Sequence, residues 1–317
     1  MSKKSNLESE LSELLAHSNE ALAEKYGQAE PLGGFSDVLK IGPHSVLMVQ
    51  DHSLHLINPG NSGISALAKV IQEVRRRDLP LTTLFLTTSH PFYSTELHLY
   101  QGLSSLDSKK FGFKVFTHQK NASYAEGASV VTFSSAEEFL KIGGRRYFVV
   151  QTPGHRPESD QISLFDLKNR ILFLGELLQP QGESYEFCTF VTPVPDHADP
   201  DSVVASIQNL KSLAFEYSYC VNGQFLDRSR TYIWMEVTQK VLERIAFYAR
   251  KVVWEEDTGD LRENAKKVMF KVAMERNMSL DLVYGRMDSR IGELSDFEKF
   301  DMPPIAFYLR RFGMQGV

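Results

Sequence analysis

Gln151-Thr152-Pro153-Gly154-His155-Arg156-Pro157, followed by Ile171-Leu172-Phe173-Leu174-Gly175-Glu176, is the part of this chain from which its fold is read. Tyr147-Phe148-Val149-Val150 leads into it with the aromatic and β-branched composition of a strand. Pro153-Gly154 then turns the chain sharply. The second run is apolar and ends on Gly-Glu. A histidine and a carboxylate thus stand at the ends of two neighbouring strands, where loops on a rigid sheet build sites. From these residues alone, a solvent-exposed turn with an ordinary surface histidine reads the same way. The rest of the chain weighs between the two.

Upstream, Ser45-Val46-Leu47-Met48-Val49 and Ser53-Leu54-His55-Leu56-Ile57 read as a hairpin of two strands around a polar turn. The second enters Asn58-Pro59-Gly60-Asn61-Ser62-Gly63, rich in turn residues. A helix follows over 64–77, with Ala66, Val70, Ile71 and Val74 on one face. Thr82–Thr87 is a strand that runs into Thr88-Ser89-His90-Pro91-Phe92-Tyr93-Ser94-Thr95, so a second histidine stands at a strand end before a helix. Strands are expected at 113–117, 129–133, 145–150, 161–166, 170–175 and 218–221, the last entering Asn222-Gly223-Gln224. Ser134-Ser135-Ala136-Glu137 has the spacing of a helix cap. A helix is expected over 202–215, with Asp201 near its cap.

Leu7, Leu11, Leu15, Leu22 and Tyr26 predict one amphipathic helix over 5–26. Beyond Asp227 the strand signals stop. Trp234, Val237, Val241, Ile245, Tyr248 and Val252 form a helical stripe, and Leu261, Ala265, Val268 and Val272 form another. Met302-Pro303-Pro304 precedes a final helix over 305–312. The chain therefore divides into an N-terminal amphipathic helix (1–30), a mixed α/β domain (31–227) and a helical C-terminal extension (228–317).

The 317 residues are 42% hydrophobic and 24% charged, with a net charge of −5, the composition of a globular protein with a sizeable core. That charge gives no reason to expect nucleic acid or an anionic membrane as a partner. No apolar run reaches the roughly 18 residues of a membrane span. Met1–Glu8 has no apolar stretch, so no secretory leader is expected. Cys188 and Cys220 match no metal spacing and are expected to be reduced thiols. The expected compartment is the cytoplasm.

His90, His155 and Glu176 are the residues with chemistry to offer. Two imidazoles and one carboxylate can hold a divalent metal on one face and leave positions open for substrate, water or dioxygen. Three protein ligands plus an open position is also a catalytic zinc pattern. Whether the three converge is not settled by their spacing. Tyr93 and Gln224 could donate hydrogen bonds to a bound ligand. His118 could line a pocket, although a surface role suits it better, and Arg156 could pair with an anionic group. His52, His55 and His197 read as structural or exposed. Cys188 reads as core, and Ser163 has no partner for a triad.

These pieces, in order, resemble the metallo-β-lactamase superfamily over roughly 35–225. Leu56-Ile57-Asn58-Pro59-Gly60 is similar to its early L-I-D-x-G segment. Ser89–Thr95 sits where the family has T-H-x-H-x-D-H. Thr152–Pro157 is similar to T-P-G-H-T-P, Leu172–Glu176 to L-F-x-G-D, and Val221–Gln224 stands where a strand ends in P-G-H. The resemblance implies an αββα sandwich of two mixed sheets. The chain also departs from the pattern. Phe92, Ser94, Thr95 and Gln224 replace metal-binding or proton-handling residues, and Glu176 replaces an aspartate. A two-metal hydrolase is therefore not expected. His90, His155 and Glu176 match the positions with which persulfide dioxygenases of the same superfamily hold a single iron. The resemblance implies one divalent metal, iron or zinc, and a metal-dependent hydrolase or a non-haem iron oxygen-using enzyme acting on a small molecule. The rival expectation is a member without metal or catalysis, serving as a binding or scaffold protein. Helical extensions in this superfamily cover the active-site mouth or mediate dimerisation, so a homodimer through 228–317 is a further expectation.

Overall fold

The structure is a computed structural model. It describes residues 3–60, 63–88, 96–125, 127–134, 137–154, 161–178, 199–220, 223–276, 290–291, 294–295 and 297–314. The chain forms two compact units. Met1–Gln151, Asp160–Gly175 and Phe215–Phe225 make the first; Thr152–Ser159, Glu176–Ala214 and Leu226–Val317 make the second.

The first unit opens with α1 (Lys3–Ala16) and α2 (Asn19–Tyr26). The single helix expected over 5–26 is thus two. The break is at Ser18, whose Oγ accepts from the Ala21 backbone N–H at 3.2 Å and caps a new helix; serine is a strong N-cap residue. There follow β1 (Glu30–Leu32), β2 (Phe35–Lys40), β3 (Val46–Val49), β4 (Leu54–Ile57), α3 (Gly63–Arg77), β5 (Leu81–Leu86), α4 (Leu97–Leu106), α5 (Ser108–Phe111), β6 (Lys114–His118) and β7 (Ser129–Phe133). These strands form a sheet in sequence order, β1 to β7. The pairs up to β3–β4 are antiparallel, and β4–β5, β5–β6 and β6–β7 are parallel.

A second sheet has the order β13-β12-β11-β10-β9-β8. Its strands are β8 (Glu137–Ile142), β9 (Arg145–Gln151), β10 (Ile162–Asp166), β11 (Ile171–Phe173), β12 (Tyr217–Tyr219) and β13 (Phe225–Asp227), the last of which leads from the first unit into the second. β8 to β11 pair antiparallel, and β11–β12 is parallel. The helix expected to start at Ser134 is instead strand β8. Its six residues alternate between exposed and half-buried, a period of two that a strand satisfies and a helix does not. Gly143 and Gly144, both at positive φ, then turn it into β9.

The apolar strands sort into two cores by that same alternation. Leu47, Leu56, Leu84 and Val115 face α1 to α4, against Leu14, Leu22, Val70, Ile71, Tyr100 and Leu103. Val46, Met48, Ile57 and Phe85 face the second sheet, against Tyr147, Val149, Leu164 and Phe173. The first sheet is covered on both faces, which is why its central strands read as continuous apolar runs.

The second unit contains α6 (Pro200–Lys211), α7 (Arg228–Glu255), α8 (Leu261–Glu275) and α9 (Met302–Arg311). α6 starts earlier than expected. Its cap is Asp199, whose carboxylate accepts from Asp201 and Ser202 N–H, and Pro200 occupies the first turn, where a missing N–H costs nothing. The predicted stripes are the packed faces: Trp234, Val241, Ile245 and Val252 of α7, and Ala265, Val268 and Val272 of α8, are buried. The extension is not wholly helical. Arg290–Ile291 and Leu294–Ser295 form a short antiparallel ladder, β14–β15. No described helix is long and apolar enough to cross a membrane.

Candidate metal centre

The ends of β4, β5, β10 and β11 are tied together by backbone and amide groups in the first unit. Asn58, at φ +52°, follows β4; asparagine tolerates this conformation better than most residues. Its Oδ1 accepts from both the N–H and the Oγ1–H of Thr87, each at 3.0 Å. Its own N–H donates to Phe85 O at 2.9 Å, and its carbonyl accepts from Ser45 Oγ at 2.6 Å. The contact asks only for an acceptor oxygen, which a carboxamide and a carboxylate both provide. This explains how Asn58 can stand where the resemblance has an aspartate.

Thr87 is one step from the segment that carries His90. Its carbonyl accepts from Ile162 N–H at 2.8 Å. Gly175, at φ +58°, lies so close that a Cβ on it would sit 3.3 Å from Thr87 Oγ1. Gln161 Nε2 donates to Leu174 O at 3.3 Å, and Leu174 N–H donates to Tyr219 O at 3.0 Å. The backbone leading to His90 and the backbone leading to Glu176 therefore leave the two sheets side by side.

The Thr152-Pro153-Gly154 turn is fixed separately, within the second unit. Gly154 has φ +117°, and a Cβ there would fall 2.4 Å from Val203 N and 2.8 Å from Asp199 O. Only glycine can take that backbone and that approach together. Its carbonyl accepts from Asp199 N–H at 3.0 Å, and Pro153 O accepts from Ser206 Oγ at 2.9 Å. The turn before His155 is thus seated on the first turns of α6. The sequence marked this glycine as a turn residue; its packing against a helix some forty-five residues on was not legible from spacing.

His90, Tyr93, His155, Arg156, Cys188 and His197 lie outside the described residues. Glu176 is described and buried, with 2% of its surface exposed. Gln224 is half-buried on the turn after β12, where its carbonyl accepts from Cys220 N–H at 2.9 Å. Gly223 beside it is held by Lys40 Nζ on its carbonyl at 3.4 Å. β11 and β12 are parallel neighbours, so Glu176 and Gln224 both follow strands that end on the same side of the sheet. Among the described residues no three His, Cys, Asp or Glu side chains cluster as metal ligands.

One other expectation changes. His118 is buried, with 6% exposed, not a surface residue; its Nδ1 accepts from Lys120 N–H at 3.2 Å. Arg145, with 2% of its surface exposed, had no signal in the sequence. It grips Asp166 through Nε at 2.8 Å and through a second bond from its Nη2, and it reaches Asp37 at 3.1 Å. Burial alone would lower the pKa of Arg145, but Asp166 outweighs it and the net direction is upward. His55 was read as structural or exposed, and it is structural. It bonds Ser53 Oγ at 3.1 Å and Tyr147 OH at 3.0 Å. Burial, then the nearby Arg145 charge, push its pKa down to about 4. Cys220 is a buried free thiol pushed up to about 12, chiefly by burial.

No family model matches the chain, and no curated protein matches it. Solved structures do. The stereoselective inverting sec-alkylsulfatase Pisa1 from Pseudomonas sp. is 11% identical with a TM-score of 0.60, over 96% of this chain and 55% of that one. The DIM-1 metallo-β-lactamase is 14% identical with a TM-score of 0.50, over 67% of this chain and 94% of that one. The chain has the metallo-β-lactamase superfamily fold. A metallo-β-lactamase from Pontibacter korlensis also matches, at 18% identity and a TM-score of 0.48 over 68% of this chain and 92% of that one. The DIM-1 match covers 67% of the chain, whereas the alkylsulfatase match covers 96% of it. At these identities the likeness is one of fold and carries no site or activity with it.

Proposed function

We propose that this protein is a metal-dependent enzyme of the metallo-β-lactamase fold, with one divalent transition metal on His90, His155 and Glu176 and a small molecule as substrate. The observation that carries this reading is the pairing of the backbones that enter His90 and Glu176, through Thr87 and Gly175, with Glu176 itself buried. The donor set fits a single ion: two imidazoles and one carboxylate suit iron(II) or zinc and leave positions open. When bound, zinc supplies an activated water for an ester, thioester or similar bond, and iron supplies dioxygen chemistry. The chain's own residues do the rest. Glu176 contributes the negative charge of the ligand set. Asn58 and Gly154 each fix a turn, Asn58 at Thr87 ahead of His90 and Gly154 directly before His155. Tyr93 and Gln224 would orient a bound substrate by hydrogen bonds. The rival, a binding or scaffold protein, is favoured by one observation: Phe92, Ser94, Thr95 and Gln224 stand where the family pattern has metal-binding or proton-handling groups.

Turnover separates them. Protein stripped by a chelator and reloaded with zinc or with iron(II) under anaerobic conditions is assayed on p-nitrophenyl acetate, on an acyl thioester, and for oxygen uptake with small thiols and persulfides. We expect at least one activity to return with one of the metals and to be absent in His155→Ala. Activity indifferent to chelation, or no activity under any loading, favours the rival.

A further inference from the structure

Within the second unit, α6, α7 and α9 border an open cleft of about 500 Å³, a volume in the range of small-molecule sites. One wall is apolar, with Val204 and Ala205 of α6 facing Ala246 of α7. The rings of Tyr308 and Phe312 stack 6.2 Å apart at 13° on another side. Tyr308 is only 4% exposed, and its hydroxyl donates to Asp201 Oδ1 at 2.9 Å.

The charges are uneven. Arg311 is in an ion pair with Asp201, so those two cancel. Glu243, exposed on the rim of the cleft, makes no ion pair among the described residues. Its charge is felt at the Tyr308 hydroxyl, whose pKa burial, then Asp199, then Glu243 push up to about 12. One carboxylate without an ion pair, beside the half-buried Phe312 ring and an aliphatic wall, suits a cation with an apolar body, because aromatic faces attract cations.

The helix that forms this wall also holds the turn before His155. Asp201, Val204, Ala205 and Gln208 of α6 line the cleft. Asp199, Val203 and Ser206, at the cap and on the opposite face of the same helix, seat Gly154 and Pro153. We propose that this cleft binds a small organic monocation, an ammonium carried on an apolar body, and that its occupancy holds α6 against the Thr152–Gly154 turn. The binding part does not depend on a metal being bound.

The test titrates phenethylammonium into the full-length protein by calorimetry, with phenylacetate as the anion of similar shape. We expect saturable one-to-one binding of phenethylammonium and binding of phenylacetate weaker by about tenfold or more. Glu243→Gln should weaken the ammonium about tenfold. Ala205→Phe, which fills the cleft from an exposed helix position, should abolish binding without touching a charge. Amide hydrogen exchange over 199–206, which contains the Asp199 N–H donated to Gly154 O, should slow on adding phenethylammonium to the parent protein and stay unchanged in Ala205→Phe. No saturable binding, equal binding of ammonium and carboxylate, or binding that survives both substitutions overturns the site. Binding without slowed exchange overturns the link to the turn.

Discussion

At its first residue, β9 carries Arg145, sealed against Asp166 and reaching Asp37 inside the first unit. At its last, the same strand runs into Thr152-Pro153-Gly154 and so to His155. Both ends are polar, but they are built differently. The Arg145 end satisfies its charges internally: Asp37 also accepts from Lys168 at 2.8 Å and Asn169 at 2.9 Å, and His55 spends both ring nitrogens on Ser53 and Tyr147. At the other end the bonds belong mainly to the scaffold, Asn58 to Thr87 and Asp199 to Gly154, and the residues proposed as ligands follow in sequence. A closed polar cluster serves stability, whereas scaffolded turns position groups for something else. Perturbing the two ends should therefore have separable effects.

The largest effect belongs to the closed end. Arg145→Ala leaves the fully buried Asp166 without its partner and should cost about 3–5 kcal/mol, read as a lowered denaturant midpoint. Next is the titration of His55. Its folded pKa of about 4 lies below the ordinary 6.5, so the unfolded chain takes up the proton first as pH falls. The stability it contributes is present above pH 6.5 and is lost progressively down to about pH 4, amounting to about 3 kcal/mol at full extent. Urea midpoints between pH 4 and 7.5 should show this slope, and His55→Gln should flatten it. Neither change at this end should alter metal content.

At the scaffolded end the expected stability costs are smaller and the consequences for metal larger. Gly154→Ala places a Cβ against Val203 N in a conformation disfavoured for alanine. It should cost about 2 kcal/mol and, unlike Arg145→Ala in the fraction that stays folded, release bound metal. Asn58→Ala removes the acceptor for two Thr87 donors and should cost about 1–2 kcal/mol, with metal affinity falling about tenfold. If Asn58→Ala and Arg145→Ala affect metal affinity alike, the distinction between the two ends fails.

Much of this was legible in the sequence. Apolar runs bounded by turns located β3, β4, β5, β9 and β10, because their buried faces leave no choice of residue. The family-like segments named the fold that the structural neighbours bear out. Ser134 was misread because a serine followed by an acidic residue fits both a cap and a turn into a strand; only the neighbouring elements decide. Arg145 and Asp166 escaped notice because charged residues are usually solvated, and nothing in their separation announces a buried pair. The seat of Gly154 on α6 was hidden for the same reason, as a contact between residues far apart in the chain. Glu176 was expected at a strand end, and its burial there was not predicted.

The central claim is that three ligands hold one metal. Its most direct test is the metal content of the full-length protein purified anaerobically, beside Glu176→Ala and Arg145→Met as the contrasting pair. The account predicts about one equivalent of iron or zinc in the parent, near loss in Glu176→Ala, and retention in the folded fraction of Arg145→Met. Less than about 0.2 equivalents of any transition metal in the parent, or the same content in parent and Glu176→Ala, would contradict it.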